Sequence, residues 1–334
     1  MTTPVTTTAA AASNEGPPIR PSTSRSDAFE PCLTADAVPV DPSTTTPAPL
    51  PFHRLARLAL PLRWWRPLLV LLTMLASYAV LLMVVLVAGV VVGLAVPAWA
   101  PALDEAMELN SMNRPGGLGV MLLLIALMIP PALLAVGWAG RRRPGTLLSV
   151  TGRFRWPLLG RSVVVTVVVL AAFQGVALLL DPSGSSQPLD LARILPGLVV
   201  VALITPWQAA AEEVVFRGLL MQTVGAWLRH PAWAILLPVP LFVVGHSYNA
   251  IGLIDIAVFA VVAGYLTWRT GGLEAAIGLH VVNNVVGLAL GLLTGADLDA
   301  TEVAPLDTAL SVAYTLVTAA LILVWHRRTA HRTP

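Results

Sequence analysis

Eight apolar runs, at about residues 68–96, 118–139, 158–180, 195–228, 232–249, 251–268, 272–293 and 308–325, dominate this chain of 334 residues. Wound as helices they approach the thickness of a bilayer's hydrocarbon core, for which roughly 20 residues suffice. No water reaches the backbone at that depth, so a spanning segment must satisfy its own N–H and C=O groups, as a helix does. We therefore expect an all-α fold: a polytopic membrane helical bundle of about eight transmembrane helices. Composition agrees, with 11% charged residues against about 25% in soluble domains.

The charges between the runs set an orientation. Arg54, Arg57, Arg63 and Arg66 precede the first run, and Arg141, Arg142, Arg143, Arg153, Arg155 and Arg161 fill the second connection. Arg229, Arg269, Arg327, Arg328 and Arg332 follow the fourth, sixth and eighth runs. The alternate connections carry Asp104, Glu105, Glu108, Asp297, Asp299, Glu302 and Asp307. Arginine-rich loops stay in the cytoplasm, so both termini are expected there, as an even number of spans also requires. The surroundings are then a lipid bilayer, expected to be a bacterial plasma membrane. The sequence pI is about 9.1, but the arginines flank spans and form no groove-lining stripe, so no nucleic-acid partner is expected.

Residues 1–52 are rich in Thr, Pro and Ala and lack hydrophobic periodicity, as in a disordered cytoplasmic tail. Cys32, the sole cysteine, lies there, so no intrachain disulfide can form. The first apolar run begins too far from Met1 for a secretory signal. Residues 53–189 comprise an interfacial segment, HRLARLALPLRWWR, and the first three helices; residues 190–295 form a core domain; residues 296–334 add the last helix and a basic tail.

Ionisable groups at membrane depth cost several kcal/mol by most measures, yet Glu212, Glu213 and Arg217 lie inside the fourth run. Of six histidines, only His246 and His280 fall in or at the edge of a span. At about 1.5 Å per residue, Glu212 is roughly 24 Å from the arginine-rich end of its span, His246 roughly 21 Å, His280 roughly 12 Å and Asn284 roughly 18 Å. Three helices thus carry polar groups into one zone. Glu213 and Arg217, four residues apart, can pair on one face. Glu212 is turned about 100° away on a straight helix and is expected to point elsewhere, free for chemistry. His280 and Asn284 share a face, whereas Asn283 is turned away into packing. Asp255 and Glu274 are expected at interfaces. Taken singly, an ion pair, a histidine strut or an asparagine between helices can be structural; together they point to a shared cavity.

Three motifs sharpen this. AAEEVVFRGLL fits EExxxR followed by Gly, FVVGH (Phe242 to His246) fits FxxxH, and HVVNN (His280 to Asn284) fits HxxxN. In this order the chain resembles the CAAX prenyl endopeptidase type II family, also called CPBP or Abi, which includes bacteriocin-immunity and lysostaphin-resistance proteins. The resemblance covers about residues 190–295. EExxxR alone is a weak signal; the three motifs together are specific. The resemblance implies an intramembrane endopeptidase in which Glu212 is the general base that activates water, His246 helps hold that water, His280 and Asn284 stabilise the oxyanion, and Glu213 and Arg217 form a structural ion pair. It implies a peptide or membrane-protein substrate, not necessarily prenylated. The family is often classed with metalloendopeptidases, so zinc on Glu212, His246 and His280 is one alternative. HExxH is absent, and adjacent glutamates on a straight helix cannot both face one metal, which favours a glutamate-dependent hydrolase with no cofactor. Rival readings are a non-proteolytic Abi or bacteriocin-immunity-type scaffold and a small transporter; the latter usually carries an inverted repeat, which is not evident.

Overall fold

The computed structural model describes residues 50–59, 61, 63–107, 112–180 and 190–330. The expected tail up to residue 49, with Cys32, lies outside them, as do Glu108 and Arg332. The described chain is helical: α1 (Arg66–Ala95), α2 (Ala100–Met107), α3 (Pro115–Ala126), α4 (Ile129–Trp138), α5 (Trp156–Leu180), α6 (Leu191–Glu212), α7 (Met221–Trp227), α8 (Pro231–Leu236), α9 (Val239–Val244), α10 (Ala250–Thr270), α11 (Glu274–Thr294) and α12 (Pro305–Ala330). No strand occurs among the described residues, and the sole bridge joins Ser149 to Gly272. Proline in the first turn, where its missing N–H costs nothing, starts α1, α3, α4 and α8. Gly271 and Gly295, at φ 70° and 69°, end α10 and α11 in the left-handed conformation that glycine tolerates best.

Seven helical segments are long and apolar enough to cross a membrane: Arg66–Ala95, Pro115–Trp138, Trp156–Val176, Ile194–Trp227, Ala250–Thr270, Glu274–Thr294 and Pro305–Thr329. The protein is thus an integral membrane helical bundle. The exception is the fifth run. Pro238 and Pro240 withhold backbone donors, and the run divides into the short helices α8 and α9, followed by non-helical residues 245–249.

Hydrogen bonds nevertheless place the two ends of this run at opposite ends of the bundle. Before α8, the Arg229 carbonyl bonds His53 Nε2 at 3.1 Å. At that same end Arg57 donates to Ala226 O at 2.9 Å, Gln222 to Thr146 O at 2.9 Å, and Leu273 N to Leu148 O at 2.9 Å. At the other end of the run, Asn249 N donates to Thr301 O at 2.9 Å and Asn249 Nδ2 to Glu302 Oε2 at 2.7 Å. Nearby, Asn113 Nδ2 bridges Asp297 and Asp299 at 2.6 and 2.8 Å. Bonds from Asn113 and then the Asp299 amide hold the Asp297 carboxyl below its ordinary range. The chain therefore passes eight times between an arginine end and an acidic end, with α8 and α9 as one broken passage. Arg114 and Arg193, near the starts of α3 and α6, are exceptions to the charge segregation.

The segment expected at the interface is held more tightly than that. Phe52, His53 and Leu55, in a 3-10 helix over Phe52–Leu58, are 1%, 2% and 4% exposed and dock against α7. A Cβ on Gly225 would lie 1.8 Å from the His53 carbonyl oxygen, so α7 carries glycine at the crossing. Central to the bundle is α11, which packs against α5, α6 and α10 and whose Ala275, Ala276 and Leu279 are fully buried. Glu274 begins it, at the end of a span as expected, and is fully buried within the protein. Arg155 grips it with Nε to Oε1 at 3.0 Å and Nη2 to Oε2 at 2.7 Å, and the Arg155 backbone N–H adds a bond of 2.9 Å to Oε1. A carboxylate with that many charge-assisted bonds can be buried, and this one ties the connection before α5 to the start of α11.

Candidate active site

Between α6 and α7 the chain does not continue as an α-helix. Residues Glu213–Leu220 wind as a π-helix, whose i→i+5 bonding spreads each turn over more residues and brings neighbouring side chains closer in angle. Glu212 closes α6 and Glu213 opens the wider stretch.

The two carboxylates do not diverge as a straight helix would require. Both reach His280 on α11. Glu213 Oε1 lies 2.7 Å from His280 Nδ1, and Glu212 Oε2 lies 3.5 Å from His280 Nε2. The narrowed angle at the π junction and the opposed nitrogens of one imidazole account for the difference. Glu213 Oε1 also accepts from Arg217 Nη1 at 2.9 Å. Arg217 Cζ sits 4.2 Å from the centroid of the Phe242 ring and 5.8 Å from that of Phe259, where the ring faces favour a cation. The Phe259 ring meets His280 edge-on at 4.8 Å.

Proton positions follow from these partners. Paired with a guanidinium, Glu213 is an acceptor, so His280 Nδ1 donates to it. His280 Nε2 then faces Glu212 Oε2. Two acceptors meet there unless one proton is held between them. Glu212 Oε2 is buried and has no hydrogen bond within the protein.

One contributor was missed by reasoning from sequence. Gln208, 4% exposed and one turn before Glu212, donates from Nε2 to Glu212 Oε1 at 2.9 Å and accepts at Oε1 from Asn284 Nδ2 at 3.1 Å. The amide thus joins Glu212 to Asn284 and sets the direction of both. From sequence, the ionisable groups and the asparagines beside His280 stand out and the uncharged Gln208 does not; its i, i+4 spacing from Glu212 is the available signal. Asn283, placed in packing by rotation alone, donates to Asn284 Oδ1 at 3.4 Å.

Glu212, Glu213, Arg217, His280 and Asn284 are therefore gathered by direct contacts and through Gln208. His246 is not bonded to the group. Its Nδ1 lies 2.8 Å from Phe242 O, which can only accept, so Nε2 is the unprotonated nitrogen of the neutral ring. The His246 ring lies tilted against Phe242 at 4.8 Å, and Phe242 is 6.4 Å from His280, which puts His246 one aromatic ring from the cluster. The zinc alternative needs His246 beside Glu212 and His280, and among the described residues no three His, Cys, Asp or Glu side chains form a group that could hold a metal.

Exposure separates the two glutamates. The Glu212 side chain retains 11% of its surface, though none at Oε2, and that of Glu213 retains none.

Residues 191–286 match the family described as type II CAAX prenyl endopeptidase Rce1-like. The match contains every residue of the cluster. A protein of Bacillus subtilis (strain 168), described as uncharacterized protein YyaK, is 28% identical over 165 residues, 47% of this chain and 55% of that protein. The chain thus spans about half the length of this curated relative. No solved structure matches the chain.

Proposed function

We propose that the protein is an intramembrane endopeptidase that hydrolyses a bond in a peptide or membrane-protein substrate, with Glu212 as the base. The observation carrying this reading is the convergence on Glu212 of His280 from α11 and, through Gln208, of Asn284, beside a Glu213–Arg217 pair sealed from solvent. A hydrolase needs a base within reach of water and donors aimed at the developing oxyanion.

Glu212 Oε2 takes a proton from water while the water oxygen attacks the scissile carbonyl. Asn284 gives one Nδ2–H to Gln208 and keeps the other for the oxyanion. His280 Nε2, facing Glu212 Oε2, carries the proton that completes the oxyanion site. When the C–N bond breaks, Glu212 returns its proton to the leaving nitrogen. The resemblance gives His246 a part in holding the attacking water; its ring lies beyond Phe242 from the cluster. Glu213 and Arg217 act by holding the His280 ring at Nδ1. No step is routed through a metal, since the residues present do not gather as a ligand set. The positive-inside rule favours the cytoplasm for the arginine end of the bundle.

The decisive experiment reconstitutes wild-type and Glu212→Gln protein and compares membrane proteomes of cells carrying each. Uncleaved precursors should accumulate with Glu212→Gln, and the purified variant should be folded and inert. Undiminished turnover by that variant would remove Glu212 from the mechanism. Elemental analysis before and after chelator treatment addresses zinc separately: stoichiometric metal lost together with activity would replace the glutamate-only scheme.

A further inference from the structure

Away from the active site, α5 and α12 run antiparallel and leave a cleft between them in the arginine half of the bundle. The cleft between them encloses about 530 Å³. Its walls are apolar and open: Val164 and Val168 on α5 and Leu321 and Val324 on α12 are 54%, 63%, 46% and 44% exposed. In a bilayer such a wall meets acyl chains. The mouth has a different chemistry. Arg328 and Trp325 border it, and an adjoining cavity that shares Val165, Trp325 and Thr329 is bordered by Arg161. His326 beside it feels the charges of Arg155, Arg161 and Arg269. Arg155 is answered by Glu274. Among the described residues, no carboxylate within ion-pair distance answers Arg161 or Arg328.

We infer that this cleft is a binding site for one anionic phospholipid, with an acyl chain between α5 and α12 and the phosphate held by Arg161 and Arg328. Three observations combine in it. The walls are greasy over several helical turns, two unanswered guanidiniums stand at one end only, and a tryptophan marks the interfacial level between them. Guanidinium presents a planar fork of donors to phosphate, and basic pockets between transmembrane helices are recurrent sites for anionic headgroups. A zwitterionic lipid would fill the cleft equally well but would bring its own cation to the arginines. The site is independent of the proposed peptidase chemistry, since none of its residues touches the Glu212 cluster.

Native mass spectrometry of the full-length protein, released from nanodiscs of equal phosphatidylglycerol and phosphatidylcholine, tests this. One retained phosphatidylglycerol per chain is expected, in clear excess over phosphatidylcholine. The Arg161→Gln/Arg328→Gln double variant should hold it about tenfold less tightly. Val168→Trp, which fills the cleft and leaves both arginines in place, should displace it as well. A thermal melt in lipid-free detergent that matches wild type certifies each variant as folded. Equal retention of the two lipids, or retention unchanged in the double variant, would overturn the proposal. So would a dimer in the wild type that Val168→Trp abolishes without lipid release, because the cleft would then receive a second copy of the chain.

Discussion

Two glutamates in this protein are fully buried and paired with arginine, and the pairs are built differently. Glu274 uses both oxygens on Arg155, takes a third bond from the Arg155 backbone, and joins segments 119 residues apart. Glu213 has a single bond from Arg217 on its own helix and a second contact to His280. Around it Glu213 Oε2, Arg217 Nη2 and Glu212 Oε2 are all buried without partners. The first pair is a staple in which both carboxylate oxygens are bonded. The second keeps capacity in reserve, on a wide helical turn beside a histidine. Burial of charge alone does not separate a strut from a reactive centre; unfilled hydrogen-bonding capacity does.

The largest expected effect tests that contrast directly. Glu212→Gln preserves shape and the bond from Gln208 but removes the base, so turnover should fall by a factor on the order of 10² to 10⁴ with the melting transition little changed. A stability loss as large as the activity loss would place Glu212 with the struts. Next, Glu213→Leu strands the buried Arg217 and should cost about 3–5 kcal/mol, and Glu274→Leu, which leaves an Arg155 that is 24% exposed, should cost less, both read from denaturation in mild detergent. The comparison sharpens in the double variants. Arg155→Met should recover much of the Glu274→Leu loss and leave catalysis near normal, whereas Arg217→Met should recover stability in Glu213→Leu without activity, because His280 would lack its anchor. Recovery of activity in that second double variant would break the distinction.

Smaller effects concern supporting contacts. Gln208→Leu should lower kcat about tenfold with KM little altered, the loss of one positioning bond at about 1.4 kcal/mol; Gln208→Glu should do worse by placing a second anion against Glu212. Gly225→Ala should cost about 1–3 kcal/mol by forcing the His53 carbonyl off α7, with activity per folded molecule intact.

Much of this was legible in the sequence, for identifiable reasons. Run length and the bilayer's demand on backbone groups gave the spans. Polar residues stand out against hydrocarbon, which is why Glu212, Glu213, Arg217, His280 and Asn284 could be picked individually. What did not come through depends on local winding or on neutral partners. Hydropathy does not distinguish an α turn from a π turn, so the convergence of Glu212 and Glu213 on one imidazole was read as divergence. Glu274 sits at the edge of a run, where a carboxylate ordinarily meets water; its partner is remote in sequence, and spacing rules cannot see it. The division of the fifth run was foreshadowed by Pro238 and Pro240, but its passage from one end of the bundle to the other rests on bonds of Arg229 and Asn249 to distant segments.

The π-helical stretch over Glu213–Leu220 makes the chain intolerant of length changes there. Deleting one residue, Val215 for instance, would let the stretch settle into an ordinary α-helix of similar total winding, and the narrowed angle between Glu212 and Glu213 would open to about 100°. Hydropathy would barely register the loss, and the bundle would still insert. The two motif glutamates would then diverge and no longer meet on His280, so homologues one residue shorter between positions 212 and 221 should have lost the chemistry while keeping the membrane fold.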